Sequence, residues 1–266
     1  MSAIVWLQQL CLMGLIRTPE SITLLSALWD RFALTTTFLV GSRTRSEDAY
    51  DFGETMSSQG RATRALISCG VVAGPFFLLI FVIQVFARSE FQFTRSEPSM
   101  LSIGPWGGVQ IANFVIGGLL IVAGALGVGK VLRTSKGRFW GSLLLGVFGF
   151  CQIGVGAFVT DPIRSPASTT FHGTMHLVFG GAGFTALMAA CFVFVRTFAS
   201  LRQTPWAVFC AITGLLFLAA FISAANASQS AINIQFFLNL IFVLAWVWVS
   251  SVSYQLMRND LGPGEI

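Results

Sequence analysis

Charge is what this chain has least of: Asp, Glu, Lys and Arg make up 10% of its 266 residues, where a soluble domain carries about 25%. So few charges cannot cover a surface in water, and the apolar excess, 55% of residues, must meet lipid instead. Acidic residues are scarcer still beyond the N-terminal stretch, because six of the eleven lie in residues 1–55. Histidine occurs only twice, at His172 and His176. The five cysteines are Cys11, Cys69, Cys151, Cys191 and Cys210, and the last four lie inside apolar runs without metal-type spacing. That argues against a disulfide framework and reads them as small buried hydrophobes. No Walker loop, dinucleotide fingerprint or nucleophile elbow stands out. The formal charge of +5 does not point to nucleic acid, since the basic residues are spread between apolar runs.

What the chain has in quantity is uncharged length. Residues 65–87, 109–129, 139–159, 175–195, 205–225 and 233–257 carry no charge. Each run is 21 to 25 residues long, and a helix needs about 20 to cross the hydrocarbon layer. Helices satisfy their own backbone amides without water, whereas barrel strands would show alternating segments of about ten residues. The runs here are continuous and glycine-rich. The expected fold is therefore all-α: a polytopic membrane bundle of about six transmembrane helices over 65–257. Its glycines, such as Gly117, Gly118, Gly124, Gly149 and Gly183, read as close-packing positions between helices.

Orientation is read from Lys and Arg, which are retained on the cytoplasmic side. One set of flanks holds nine: Arg61, Arg64, Lys130, Arg133, Lys136, Arg138, Arg196, Arg202 and Arg258. The other holds three: Arg88, Arg95 and Arg164. Both termini are thus expected in the cytoplasm, with the chain multi-pass in the cytoplasmic membrane and 258–266 a cytoplasmic tail. Residues 1–55 stand apart. Their apolar run 4–16 is too short to span and is interrupted by Gln8 and Gln9. Met56 opens a second plausible start, so 1–55 read as a surface or disordered extension or as a mis-called start.

The even-numbered spans share a polar opening. The second begins with Gln110 and Asn113, the fourth with His172 and His176, the sixth with Gln235 and Asn239. Members of a pair three or four residues apart share a helix face. Asn113, His176 and Asn239 are spaced by 63 residues, and Asn113-Phe-Val-Ile-Gly-Gly resembles His176-Leu-Val-Phe-Gly-Gly, which suggests three helical hairpins of similar design. Polar side chains in a membrane often face a bundle interior or cavity. Gln110, Asn113, His176, Gln235 and Asn239, with Gln152, are expected to face inward, either as a ligand site or as interhelical hydrogen bonds.

Candidate chemistry concentrates in 154–176, GVGAFVTDPIRSPASTTFHGTMH. Asp161-Pro162 ends the third span, because proline disfavours helix in the residue before it. Thr169 or Thr170 can cap the fourth. His172 and His176, one turn apart, can chelate one Zn²⁺, with Asp161, Glu90 or Glu97 as a third ligand, and such an ion would activate water for hydrolysis. No HExxH motif supports it, and hydrogen bonding by the histidines is the competing reading. Two histidines on one helix face cannot sandwich a haem.

Three ordered motifs carry a resemblance: Ser102-Ile-Gly-Pro-Trp-Gly-Gly-Val-Gln-Ile-Ala-Asn-Phe, then Thr160-Asp-Pro, then Phe171-His-Gly-Thr-Met-His. Over 65–257 the chain resembles the bacterial and archaeal membrane family catalogued as domain of unknown function 998. The resemblance implies a multi-helix membrane protein, places Gln110, Asn113, Asp161, His172 and His176 in the family motif, and implies no reaction, substrate or cofactor. The expected role is non-enzymatic, binding or moving a small molecule or lipid through an outward-facing polar cavity lined by Gln110, Asn113, Asp161, His172, His176, Gln235 and Asn239. The alternatives are a metal-dependent membrane hydrolase and a structural partner for another membrane protein.

Overall fold

The computed structural model describes residues 58–132, 135–162, 170–226 and 232–261. The expectations for residues 1–55, Arg133, Arg164, Thr169 and the end of the tail lie outside them. Among these residues six long helices follow one another: α1 Ser58–Ala87, α2 Gly107–Val131, α3 Ser135–Ala157, α4 Phe171–Ser200, α5 Thr204–Asn226 and α6 Ile232–Leu261. A short 3₁₀ helix, Pro98–Ser102, lies between α1 and α2, with proline at its start where no amide is needed. All six long helices are long and apolar enough to cross a membrane, and no strand occurs among the described residues. The chain is an all-α membrane bundle.

Each helix packs on its neighbours in sequence, and α6 closes the ring against α1, with the α5–α6 seam the sparsest. Six antiparallel helices bring both ends of the bundle's chain to one side. There the α4–α5 turn meets the end of α6, as Gln203 Nε2 donates to Asn259 Oδ1 at 2.7 Å and Gln255 Nε2 to Gln203 Oε1 at 3.1 Å. That turn is tight because Gln203 N–H reaches back to the Phe198 carbonyl at 2.9 Å, with Arg202 left-handed at φ 56°. The opposite side, with the 88–106 loop, is called the distal end below.

Close approach explains the glycines of α1 to α3. A Cβ on Gly118 would lie 2.6 Å from the Gly149 carbonyl, and one on Gly124 would lie 2.6 Å from the Gly70 Cα. Backbone thus meets backbone across both seams, which maximises dispersion contact where lipid offers no hydrophobic drive. The α1–α6 seam adds a hydroxyl. Gly74 N–H donates to Ser250 Oγ at 2.9 Å, and Ser250 Oγ donates to the Gly70 carbonyl at 3.2 Å. Ser250 therefore bridges two groups one turn apart, beside Pro75, where the α1 ladder already lacks a donor.

Aromatic rings fill the centre. Phe77 of α1 stacks on Trp246 of α6 at 3.7 Å between centroids, and Phe242 meets Phe77 edge-on at 5.6 Å. Phe114 of α2 joins them at 5.3 Å from Phe77. These rings lie below the polar residues of the distal end.

Candidate functional site

The distal ends of α2, α4 and α6 each bring a side-chain N–H to a backbone carbonyl of another segment. Asn113 Nδ2 donates to the Phe77 carbonyl of α1 at 3.1 Å. His176 Nδ1 lies 2.7 Å from the Phe158 carbonyl and 3.2 Å from that of Val155, at the end of α3. Asn239 Nδ2 donates to the carbonyls of Phe93 and Ser96, in the 88–106 loop, at 2.6 and 3.0 Å. The residues spaced by 63 in sequence thus do equivalent work: each ties a helix to the segment beside it.

The pairs diverge beyond that. Gln110 Oε1 accepts from Gln84 Nε2 of α1 at 2.7 Å and from Asn113 Nδ2 at 3.4 Å. Gln84, Gln110 and Asn113 form a buried amide cluster between α1 and α2. Gln84 is the member that sequence reasoning missed. It is one glutamine within an uncharged run, and only the α1–α2 register shows that it meets Gln110.

Asp161 and His172 lie at the surface. Asp161 Oδ2 accepts the Thr170 N–H at 2.8 Å and Oδ1 accepts the Thr170 hydroxyl at 2.7 Å, while Thr170 Oγ1 caps α4 by accepting Gly173 N–H at 3.0 Å. The same two donors hold the Asp161 carboxyl below the ordinary carboxylate range. Glycine at 173 leaves room for the Asp161 carboxylate, which a Cβ there would displace. His172 is exposed and packs its ring 5.6 Å from that of Phe158. As for zinc, no group of three His, Cys, Asp or Glu side chains comes together among the described residues. Both Asp161 oxygens and His176 Nδ1 are already engaged.

The remaining polar residues surround a cavity of about 330 Å³ at the distal end. His176 and Gln152 come from α4 and α3, Gln235 and Asn239 from α6, and Glu97 and Ser99 from the 88–106 loop. Phe114, Phe184, Phe217 and Phe242 supply apolar wall. Gln110, Asn113, Asp161 and His172 do not line it. Gln235 Nε2 donates to Asn239 Oδ1 at 3.2 Å. Gln152 is 3% exposed and has no hydrogen-bond partner among the described residues. The cavity reaches the bundle's outside between α4 and α5, where Leu177 and Phe221, both part of its lining, are 64% and 45% exposed.

Outside the cavity, Arg88 shapes the loop above it. Its guanidinium donates to Glu90 at 2.9 Å and to the carbonyls of Leu101 and Ile103 at 2.6 and 2.8 Å. The bond from Arg88 holds the Glu90 carboxyl below its ordinary value.

Six membrane-length helices around a pocket near one end define a polytopic membrane protein with a largely apolar cavity that opens on its side. Residues 71–254 match the family described as protein of unknown function, DUF998, and the chain belongs to that family. Neither the curated proteins nor the solved structures hold a match to it.

Proposed function

We propose that this protein binds a small amphipathic molecule or lipid in the distal cavity, and that the distal end faces outward from the cytoplasmic membrane. One observation carries the reading: Gln152, 3% exposed, stands at the cavity wall with no partner among the described residues. Its carboxamide lines the cavity, where a ligand's polar group can meet it in place of water. The volume, about 330 Å³, lies at the lower end of ligand pockets, about 300–1,000 Å³. The outward orientation rests on the nine-to-three distribution of Lys and Arg.

Native mass spectrometry of detergent-extracted protein tests the binding. The expected result is a one-to-one adduct of a co-extracted amphiphile on wild type that Gly181→Phe removes. A Cβ at Gly181 meets no atom within 4 Å, so a side chain has room to start there, at the cavity wall. Bare protein in both forms, at the mildest detergent conditions, would end the reading. For orientation, an alkaline phosphatase fusion placed after Ser96 should be active and one placed after Lys130 inactive.

A further inference from the structure

We infer that the ligand's head is a hydrogen-bond donor without negative charge, an alcohol or an amine on a single apolar chain, and that it enters sideways from the membrane between α4 and α5. This rests on the reading of the cavity as a binding site and adds the head chemistry and the route.

The head chemistry follows from backbone carbonyls, which can only accept. The carbonyls of Phe93 and Ser96 fix the Asn239 amide with Nδ2 toward them. Asn239 Oδ1 therefore faces Gln235, which donates Nε2 to it at 3.2 Å. Gln235 Oε1 is left as an acceptor with no partner among the described residues. A second relay runs the same way. The carbonyls of Phe158 and Val155 can only accept, so they favour a proton on His176 Nδ1, and in that Nδ1–H tautomer Nε2 is a lone pair. Glu97 adds a carboxylate, which accepts from Ser99 Oγ at 3.3 Å. Against these acceptors, the free donors are the Gln152 amide hydrogens and the second Nε2 hydrogen of Gln235. Among the described residues, no lysine or arginine lines the cavity. Against the described lining, an anionic head would meet lone pairs and a carboxylate and no offsetting cation. A hydroxyl or ammonium donates to Gln235 Oε1 or His176 Nε2, and a hydroxyl also accepts from Gln152.

The route follows from the wall between α4 and α5. Gly180 and Gly181 line the cavity, and a Cβ on either would meet nothing within 4 Å. Leu177 and Phe221 line it too, yet are exposed on the bundle's outer face. All four belong to membrane-length segments, 171–200 and 204–223. Cavity wall and lipid-facing surface are thus shared at this point, and an apolar chain can lie in the gap while its head reaches Gln152.

Three probes of equal chain length decide the head: dodecan-1-ol, dodecan-1-amine and dodecanoate, each added to purified protein at pH 7. Adduct occupancy and thermal midpoint are both read. The alcohol, the amine or both should bind at least tenfold tighter than dodecanoate. Gln152→Leu, which fills the same space without polarity, should abolish most of that preference, and Gln235→Leu should reduce it. Dodecanoate binding as tightly as the others, or a preference unchanged in Gln152→Leu and Gln235→Leu, would overturn the head assignment while leaving the cavity a binding site. Gly181→Phe should slow or abolish uptake of every probe. Undiminished uptake in that variant would overturn the lateral route alone. Failure of all three probes to bind wild type overturns the inference, and the adduct retained from the native membrane then separately decides the reading beneath it.

Discussion

Asp161 accepts two hydrogen bonds from Thr170, one from its amide at 2.8 Å and one from its hydroxyl at 2.7 Å, and so clasps the end of α3 to the start of α4. The clasp depends on the carboxylate being ionised. Its pKa lies below the ordinary value because Thr170 donates to the charged form. A depressed pKa contributes stability that is complete above the unfolded value, near 3.9, and is lost as pH falls through the lower folded one. Thermal midpoints in detergent should therefore fall as the wild type is taken below about pH 4. Asp161→Asn should melt lower than wild type at pH 7 and converge with it in acid. Gly173→Ala, whose methyl would displace the carboxylate, should behave like Asp161→Asn. Parallel pH profiles for wild type and Asp161→Asn would refute the clasp.

The glycines divide into two groups that should respond oppositely to substitution. Gly118 and Gly124 hold backbones in contact, so Gly118→Val forces α2 from α3 and should cost about 1–3 kcal/mol, as overpacking does. Gly181 faces open space. Gly181→Ala should be neutral or stabilise by up to about 1 kcal/mol, because alanine loses less backbone entropy in a helix. Reversible unfolding in mixed detergent compares the two. Equal losses would mean that the α4 glycine packs against something after all.

The fold was legible because a bilayer sets one length and six uncharged runs meet it. The helices outrun those stretches, with α1 starting at Ser58 against an expected start near 65 and α4 at Phe171 against 175. Charge-free length measures the hydrocarbon, whereas the helix continues into polar residues that still pair their amides. The site was legible only as a set of polar positions. Periodicity placed Gln110, Asn113, His176, Gln235 and Asn239 on the distal ends of even helices, but not which of them share a space. That depends on how the packed helices meet, which brings Gln152 and His176 to one cavity and sends Gln110 to Gln84 instead. The amide cluster and the cavity look alike in sequence because both need a polar residue on an inward face.

The amide cluster offers a measure of what one such residue is worth. Asn113 Nδ2 reaches a helical carbonyl, that of Phe77, already served by its own ladder. Side-chain hydrogen bonds between membrane helices average about 0.6 kcal/mol and reach about 1.7. Asn113→Leu should destabilise within that range and leave ligand binding unchanged, since Asn113 does not line the cavity. Steric-trap or detergent unfolding measures the first, and adduct occupancy the second. A loss of binding without a loss of stability would place Asn113 in the site.

Two anchors hold the 88–106 loop, and they divide it. Asn239 holds the first half through the carbonyls of Phe93 and Ser96, and Arg88 holds the second through those of Leu101 and Ile103. Glu97 and Ser99, which line the cavity, lie between them. Asn239→Leu should therefore free the first half alone. The Ser96 amide, bonded to the Gln92 carbonyl at 2.7 Å, should exchange with deuterium at least tenfold faster, while the Ile103 amide stays protected. Arg88→Met should reverse the pattern. Both variants should weaken ligand retention, because either one loosens the wall that carries Glu97. If the loop exchanges as a single unit in both, the two anchors act together, and the first half has no independent hold on α6.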